Sequence, residues 1–496
     1  MHDTICVLKF GGTSVGNGER IRQVAAIIEQ ALREYSASGE LFPVVVASAM
    51  SGVTDQLLRI ARLTCSGEYE ACEQELKQLR LKHCEAASIV TRDSHALATL
   101  EKELEQGFAS LARDVAALRA AVEQGHEVAL PTAAVASWGE RLSILLVAAA
   151  ACDVGIDAQP VRQPVIVTSH PKTDAGQPFG VVVGAEPLAE ETRLNAHSFI
   201  APLVEQHIVP IAAGFIGRTI TGFVTTLGRN GSDYSATVIG SALDCAEVSI
   251  YTDVDGVLTA DPRLVSNTRL LPHLSYAEAA RLSWFGAKVL HPRTLIPIAH
   301  RNIPVRVRNT FRPHIRGTVV GPAKGGQTGA RAITIRRKLA LITVESTDLF
   351  GAPENAGQVF ALAANAGAAP VAICSSSGHH LSFMVEEQAA DSIVALLHHD
   401  MENWQVRSRH GLAACACIGS DFVDDPMSPA RAITALARER IPVITQGASE
   451  QGITLIVEDA KSESALRCLH RDLIAPVIPL VRHPRPGHEK RREHTR

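Results

Sequence analysis

The chain has 496 residues, of which 46% are hydrophobic and 20% are charged, and its formal net charge at pH 7 is −4. This length predicts two or three domains, and the composition is typical of a soluble globular protein that binds neither nucleic acid nor a membrane. No apolar run approaches the ~20 residues that span a bilayer, and the N-terminus lacks the basic start and apolar core of a signal peptide, so a cytoplasmic location is expected.

The ten cysteines and the paired histidines predict no metal centre. The cysteines lie mostly in apolar or helical runs without a Cys-x-x-Cys pair, which indicates reduced, partly buried thiols. Cys415 and Cys417 lie in an alternating apolar run, which favours a buried strand over a zinc site. The histidine pairs at 379–380 and 398–399 lack a carboxylate or thiol partner and are interpreted as surface or strand-end residues, with metal binding as the alternative.

A strand, a glycine turn and a helix are predicted at the start of the chain. The apolar residues 5–8 precede the string Lys-Phe-Gly-Gly-Thr-Ser-Val at residues 9–15, and a helical pattern follows with Ile21, Val24 and Ile28 on one face. This order forms a cradle for an anion. It is neither a Walker A loop, because Lys9 precedes the glycines, nor a dinucleotide fingerprint.

Polar residues follow the next buried strand, predicted at residues 44–47. Ser48 and Thr54 lie after this strand, at the end where parallel sheets bind ligands, although both could simply cap a helix. Residues 68–124 predict two or three flanking helices. Glu140 then falls in the first turn of another helix, where the helix dipole alone could explain it.

Residues 225–236, Thr-Thr-Leu-Gly-Arg-Asn-Gly-Ser-Asp-Tyr-Ser-Ala, lie between a strand-rich stretch and an apolar helical pattern. Gly228 and Gly231 would let the backbone approach a ligand, and Ser232 or Asp233 could cap a helix predicted from Tyr234. Both a polar substrate site and an ordinary capped turn fit this stretch alone.

Two further stretches combine charge with turn residues. Thr252, Asp253 and the glycine at 256 end a predicted strand, and Asp-Pro-Arg follows at 261–263; strand-end aspartates are often only turn formers. Lys288 lies in a glycine-containing turn between apolar segments. A lone lysine is usually solvated, but one in this setting needs an anionic partner.

The composition changes after Thr318, where a glycine-rich stretch indicates a linker. The apolar strings at 370–373 and 381–386 then recur at 442–445 and 453–458. Each repeat reads strand, helix, strand, strand, helix, strand, a split βαβ unit with edges open to pairing. The predicted domains are 1–320, a linker at 321–332, repeats at 333–408 and 409–482, and a disordered basic tail at 483–496.

Four strings together, in this order, resemble the aspartate kinases (aspartokinases) of the amino acid kinase superfamily. They are residues 9–15, Gly-Arg-Asn-Gly-Ser-Asp-Tyr-Ser-Ala at 228–236, Thr-Asp-Val-Asp-Gly at 252–256 and Phe-Gly-Ala-Lys-Val-Leu-His-Pro at 285–292. The repeats resemble paired ACT domains. The resemblance covers about residues 4–480 and implies an α/β amino acid kinase fold, a layered α/β/α sheet, followed by two ferredoxin-like βαββαβ ACT units.

The resemblance implies ATP-dependent phosphorylation of the side-chain carboxylate of L-aspartate to 4-phospho-L-aspartate, the first step of lysine, threonine and methionine biosynthesis. Mg²⁺ would be carried on the ATP phosphates. The implied catalytic residues are Lys9, Asp233 and Lys288. The implied aspartate-binding residues are Ser48, Thr54, Glu140 and Arg229, and the implied ATP-binding residues are Lys9, Gly11, Gly12, Thr252, Asp253, Arg263 and Lys288.

The resemblance implies feedback control by an amino acid, either lysine or threonine, which binds to the ACT units through Gln446 and Ser449. It also implies that the chain forms a homo-oligomer, a dimer that is held together by these units. Some positions depart from the family pattern. Leu258 stands where many members have Tyr, Cys374 stands where Gln is common, and the turn at 422–426 lacks the usual glycine.

Two other functions fit the sequence less well. Another amino acid kinase, acting on glutamate, acetylglutamate or a nucleoside monophosphate, is disfavoured by the 229–233 string and the two C-terminal modules. An inactive amino acid sensor is disfavoured because the charged residues Lys9, Glu140, Arg229, Asp233 and Lys288 are all present. No Gly-x-Gly-x-x-Gly unit follows the repeats, so a fused dehydrogenase is not expected.

Overall fold

The computed structural model describes residues 4–39, 41–170, 185–228, 230–287, 290–323, 328–346, 352–377, 379–401, 404–420, 422 and 424–474. The chain forms two compact units. The first comprises Met1–Leu258 and Arg269–Gly326, and the second comprises Thr259–Thr268 and Gln327–Arg496.

The first unit contains eleven strands and eleven helices within its described ranges. The strands are β1 (Ile5–Phe10), β2 (Phe42–Ala47), β3 (Ala158–Val161), β4 (Ile166–Thr168), β5 (Val209–Ala213), β6 (Ile216–Thr219), β7 (Val224–Thr226), β8 (Glu247–Thr252), β9 (His273–Ser275), β10 (Val305–Asn309) and β11 (Thr318–Gly321). The helices are α1 (Gly18–Ser38), α2 (Val53–Ser66), α3 (Tyr69–Val90), α4 (Ser94–Glu123), α5 (Ala129–Ala136), α6 (Trp138–Asp153), α7 (Ala189–Phe199), α8 (Ala201–Glu205), α9 (Gly231–Ala242), α10 (Tyr276–Trp284) and α11 (Pro292–Ala299).

An eight-stranded sheet forms the centre of this unit, in the order β3-β5-β2-β1-β8-β10-β11-β9, and β4, β6 and β7 form a smaller sheet. The central strands pair in parallel. Strand β2 is buried along its whole length, as expected for a parallel strand covered on both faces. The layered α/β/α prediction is confirmed.

Helix α9 packs closely on one face of the sheet, and α1 flanks the other. A Cβ atom built at Gly240 of α9 would lie only 2.7 Å from Val248 Cγ2 and 3.6 Å from Val7 Cγ2. Residues on the opposite face of β1, Cys6 and Leu8, line a groove with α1. Because side chains alternate along a strand, Lys9 lies on the α9 face.

The stretch Ala129–Asp153, which contains α5 and α6, is 25 residues long and apolar enough in composition to cross a membrane. This differs from the expectation that no run reaches such a length. However, 78% of its most apolar window is buried inside the protein. Core helices of folded domains have the same property, and Glu140 and Arg141 lie within the stretch.

The second unit contains one six-stranded sheet with helices. Its strands are β12 (Gly329–Ser346), β13 (Ala372–Ser376), β14 (His380–Glu386), β15 (Trp404–Ser420), β16 (Thr445–Ser449) and β17 (Gly452–Glu458). Its helices are α12 (Ala352–Asn365), α13 (Glu387–Asp400), α14 (Met427–Arg438) and α15 (Ser462–Leu473), with a 3₁₀ turn at Asp459–Lys461. The strand order is β13-β14-β12-β15-β17-β16.

The two ferredoxin-like modules share the long strands β12 and β15. The first half of β12 pairs with the second half of β15, and the second half of β12 pairs with the first half of β15 and with β14. Strand β12 passes from one module to the other at register shifts between Arg336 and Leu341, where Lys338 has a positive φ of 58°. A bulge of this kind bends a strand.

This sharing corrects the predicted domain boundaries. Residues 329–336 occupy the fourth-strand position of the second module, beside β15, although they precede the first module in the chain. The prediction that 329–332 belong to a linker is wrong, because β12 begins at Gly329. The predicted end of the second module at 482 and the tail at 483–496 lie outside the described residues.

A second correction concerns residues 259–268, which were assigned to the catalytic domain and instead pack in the second unit. Ala260 and Val265 join the core of the second module. The backbone N–H of Ile333 donates to the carbonyl oxygen of Thr259 at 2.9 Å. The Thr259 hydroxyl lies 2.9 Å from His470 Nε2.

The core of the second module also contains the cysteines that were weighed as a metal site. Cys415 and Cys417 are fully buried on β15 and pack with Ile333 and Leu455. Burial raises the pKa of the Cys417 thiol to about 12, so the thiol stays protonated and unreactive. Their interpretation as residues of a buried strand is confirmed.

Candidate active site

The C-terminal end of β1 lies beside the first turn of α9, which joins two of the four strings. Lys9 is 6% exposed. Its Nζ lies 2.5 Å from Asp233 Oδ1. The structure therefore brings together the two described residues that were predicted to be catalytic.

The glycine turn after β1 approaches both Lys9 and the end of β2. A Cβ atom at Gly11 would lie 3.2 Å from Lys9 Nζ, and one at Gly12 would lie 3.2 Å from the carbonyl oxygen of Ala49. Both contacts are tight, so a side chain there would displace the lysine or the neighbouring strand end. The backbone can thus approach a ligand held by Lys9.

A cavity of about 380 Å³ opens between the glycine turn, the end of β2 and the start of α9. This volume suits a small ligand. Its lining includes three residues of predicted function, Gly12, Ser48 and Thr54. The complete lining is Gly12, Thr13, Ser48, Ala49, Met50, Ser51, Gly52, Thr54, Asp55 and Ser232.

Glu140 is the most unusual residue near this cavity. It is 2% exposed, and its Oε2 atom has no hydrogen-bond partner among the described residues. Burial raises the pKa of the Glu140 carboxyl to about 8, against the lowering effects of hydrogen bonds from the backbone of Ala49 and of Glu140 itself and of the Lys9 charge. A buried carboxyl with a free oxygen can accept a cationic group from a ligand.

The start of α9 differs from the capped turn that was considered as an alternative. The N-cap residue is Asn230, in the left-handed region with φ of 57° and without a side-chain cap bond, and the helix begins at Gly231. Of the two suggested caps, Ser232 instead lines the cavity and Asp233 forms the ion pair with Lys9. Gly231 is required by packing, since a Cβ atom there would lie 2.7 Å from the Phe215 ring.

The segment that is predicted to bind the nucleotide begins at the end of β8, next to the glycine turn. The backbone N–H of Gly11 donates to the Tyr251 carbonyl at 3.4 Å. Thr252 donates to Asp253 Oδ1 at 3.2 Å, and Asp253 is exposed. These two predicted ATP contacts therefore lie at the same sheet edge as Lys9 and Gly11.

Arg263 is predicted to bind ATP, but the structure does not place it with Lys9, Gly11 and the other described residues of the site. It belongs to the segment that packs in the second unit. Its guanidinium donates to both carboxylate oxygens of Asp261, with Nη2 at 2.6 Å from Oδ2, and its side chain is 77% exposed. Arg229 and Lys288 lie outside the described residues, so their roles stay predictions.

Sequence reasoning missed two features of this site. One is the Ala49 backbone hydrogen bond to Glu140, which leaves no trace in side-chain identity. The other is the end of β10, where Asn309 and Thr310 bond to the turns that follow β1 and β8. The only signal for β10 was the polar Asn-Thr pair directly after an alternating valine strand.

The predicted effector residues lie at the edge of the sheet in the second unit. Gln446 and Ser449 are exposed on β16. Strand β13 of the first module adjoins them, because a Cβ atom at Gly447 would lie 3.5 Å from the Ile373 carbonyl oxygen. Cys374 on β13 is half-buried, and burial raises its pKa to about 11.

Comparison with known proteins agrees with this geometry. The model of the amino acid kinase family matches residues 4–309, and an ACT domain model matches residues 416–473. Aspartokinase 1 of Arabidopsis thaliana, a chloroplastic protein, is 31% identical over 481 residues, which cover 94% of this chain and 79% of that protein. The chain belongs to the aspartokinase family.

Other similar proteins extend this comparison. The bifunctional aspartokinase/homoserine dehydrogenase 1 of Zea mays is 34% identical over 94% of this chain but only 50% of its own length. The chain thus spans about half the length of the bifunctional relatives it matches. The crystal structure of E. coli aspartokinase III with aspartate and ADP superposes with a TM-score of 0.72 at 28% identity, covering 95% of this chain and 99% of that one.

Proposed function

We propose that this aspartokinase family member transfers the γ-phosphoryl group of ATP to the side-chain carboxylate of L-aspartate, forming 4-phospho-L-aspartate and ADP. The observation that carries the proposal is the pairing of Lys9 with Asp233 beside a small cavity that Ser48 and Thr54 line. The product is the one that begins lysine, threonine and methionine synthesis. The E. coli structure with aspartate and ADP supports the same pair of ligands.

The reaction brings two anions together, so the main requirement of the site is charge cancellation. A carboxylate oxygen of aspartate attacks the γ-phosphorus, one P–O bond forms, and the bond to the β-phosphate oxygen breaks. An ionised carboxylate needs no general base. Negative charge develops on the leaving oxygen of the β-phosphate during the transfer, and Lys9 neutralises this charge. Asp233 holds Lys9 in place through the ion pair.

The amino acid substrate needs contacts to both of its α-substituents. The free oxygen of Glu140 accepts a hydrogen bond from the α-ammonium group, and the positive charge of that group lowers the pKa of the carboxyl, so that the carboxyl loses its proton to solvent. Arg229 is proposed to hold the α-carboxylate, because the planar guanidinium matches a carboxylate with two parallel hydrogen bonds. Lys288 is proposed to bind phosphate with Lys9.

The reaction also needs Mg²⁺, which fits this site as an ion carried by the ATP phosphates. No group of three or more His, Cys, Asp or Glu side chains in the described ranges could hold a metal on its own. Mg²⁺ prefers phosphate and water oxygens to an all-protein cage. The ion would supply positive charge to the β- and γ-phosphates, and the glycine turn and Lys9 would contact the same phosphates.

Feedback control is proposed to act through the paired ACT modules. The E. coli aspartokinase III structure in complex with lysine and aspartate supports lysine as the effector class; it is 28% identical with a TM-score of 0.73. Gln446 and Ser449 on β16 are the proposed contacts. The exposed sheet edges of these modules are proposed to pair two copies of the chain as a dimer.

The function is tested by ADP release with ATP, Mg²⁺ and a series of acceptors. Release should depend on L-aspartate and stay at background with glutamate or acetylglutamate. The Arg229→Lys variant should raise the KM for aspartate by ten-fold or more, because a lysine cannot form the paired hydrogen bonds, and leave the KM for ATP within about two-fold. An unchanged KM for aspartate in this variant would remove Arg229 from the pocket.

A further inference from the structure

Strand β10 ends beside the two turns of the nucleotide site. It pairs in parallel with β8, so that Asn309 lies opposite Thr252. The next residue, Thr310, donates its backbone N–H to the Thr252 carbonyl at 2.9 Å. Strand β10 thus continues the sheet edge that carries the glycine turn and the Thr252–Asp253 segment.

Thr310 bonds to the glycine turn through its side chain. Its Oγ1 lies 2.6 Å from Ser14 Oγ, and Ser14 donates in turn to the Tyr251 carbonyl at 3.3 Å. Either hydroxyl can be the donor in the bond between Ser14 and Thr310, and the bond joins the two segments in both cases. Ser14 is 0% and Thr310 2% exposed, so water cannot replace these bonds without cost.

Asn309 bonds to the turn after β8. Its Nδ2 donates to Asp255 Oδ1 at 2.7 Å and to the Asp253 carbonyl at 3.4 Å. Its own Oδ1 accepts from the Phe311 backbone at 2.8 Å. Asn309 is 2% exposed, and Arg312 adds an ion pair to Asp255 at 2.8 Å.

A second connection reaches the glycine turn from the same segment. The Arg20 guanidinium lies over the Phe311 ring, 5.2 Å from its centroid. Arg20 Nη1 also donates to the Thr13 carbonyl at 2.8 Å. Residues 309–312 are therefore bonded to both turns, through side chains on two successive positions and through Arg20.

We propose that residues 309–312, here named the β10 clamp, fix the separation of the glycine turn from the Thr252–Asp253 turn and thereby set the affinity for a nucleoside diphosphate or triphosphate. Asn309 and Thr310 are positioning residues, since they act through the two turns. Preorganised turns bind a ligand more tightly because less ordering remains to be done on binding. The identity of the nucleotide rests on the proposed function.

The test measures ADP binding by titration calorimetry with the full chain. The Thr310→Val variant keeps the shape of the side chain and loses the hydroxyl that is hydrogen-bonded to Ser14. We expect the ADP dissociation constant to rise about five- to ten-fold, the size typical of one buried hydrogen bond. The Thr310→Ser variant, which keeps the hydroxyl, should have the ADP dissociation constant of the wild type. The matched control is Thr64→Val in α2, an equally buried threonine whose hydroxyl bonds only within its own part of the fold, and it should leave ADP binding unchanged.

Kinetics separate positioning from general destabilisation. Thr310→Val should raise the KM for ATP and leave the KM for aspartate within about two-fold, whereas a structural defect would change both. If this variant does not fold, Asn309→Asp, which places a carboxylate against Asp255, should weaken ADP binding in the same way. Wild-type ADP affinity in the folded variant would overturn the proposal, as would equal rises in both KM values. If the wild type binds ADP without using aspartate, the proposed function fails and the ADP constants still test the clamp.

Discussion

The buried carboxyl of Glu140 lowers the stability of the protein at alkaline pH, and we propose that the same carboxyl binds the ammonium group of the substrate. Its pKa is raised from an ordinary 4.5 to about 8 by burial, so the folded state holds a proton that the unfolded state releases. The free energy of unfolding therefore falls as the pH rises from about 4.5 to about 8. Buried carboxyls with this property are frequent in functional sites.

The Glu140→Gln variant tests both sides of this exchange. We expect its melting temperature to exceed that of the wild type at pH 8.5, with little difference at pH 5, because the neutral amide has no proton to lose. Its kcat/KM for aspartate should fall by about 30-fold or more, since the ammonium group loses its charged partner. In the wild type, kcat/KM for aspartate should rise between pH 7 and 9 with a midpoint near 8, and in the variant it should be flat.

A matched control for this variant is Glu278→Gln. Glu278 is also buried, at 1% exposure, but its carboxylate accepts from the Ser275 backbone in the capping box of α10. The amide oxygen of a glutamine can accept the same hydrogen bond, so this variant should change the melting temperature little at either pH and leave aspartate use unchanged. A wild-type pH profile that is flat from pH 7 to 9, or full aspartate use by Glu140→Gln, would contradict the assignment.

At the residue scale, the sequence identified candidate site residues more readily than it showed which backbone positions and strands surround them. It named both Lys9 and Asp233 as catalytic residues, more than 200 positions apart, because each belongs to a recognisable string, and the structure places the two side chains in an ion pair. The sequence did not show that Asn230, rather than Ser232 or Asp233, occupies the N-cap position of α9, since backbone angles determine where the helix begins. It also could not detect Ala49 or the β10 clamp, whose contacts depend on which strands become neighbours.

At the scale of elements, the repeat was visible in the sequence and its strand exchange was not. The alternating pattern predicts strands, yet it does not say which strand pairs with which. Residues 329–336 and 339–346 read alike, but the first half of β12 completes the second module and the second half lies in the first. The bulge around Lys338 makes this possible, and a bulge has no fixed sequence signature.

Two substitutions on β12 test this arrangement. Ile333, 1% exposed, packs in the core of the second module, and Ile342, 0% exposed, packs in the first. Each change to Ala should cost about 2–5 kcal/mol of stability through a cavity. By hydrogen exchange, Ile333→Ala should deprotect β17 and α15, and Ile342→Ala should deprotect β14 and α13. Loss of protection confined to the first module from Ile333→Ala would contradict the shared-strand topology.

At the scale of the whole molecule, length and composition predicted several domains, and the chain forms two compact units. The boundary after the kinase region was close to the one predicted, because a glycine-rich stretch marks it in the sequence. The assignment of residues 259–268 to the second unit was not predictable, because the segment follows the nucleotide turn without any change in composition. It provides a direct covalent link between the Thr252–Asp253 turn and the second module.

We propose above all that the site phosphorylates the side-chain carboxylate of aspartate. The most direct test is to incubate the full chain with ATP, Mg²⁺ and L-aspartate in the presence of hydroxylamine, which converts an acyl phosphate to a hydroxamate, and to identify the product by mass spectrometry. We expect the β-hydroxamate of aspartate, none from glutamate, and less product when lysine is added. ATP binding without any hydroxamate, or equal hydroxamate from glutamate, would contradict the account.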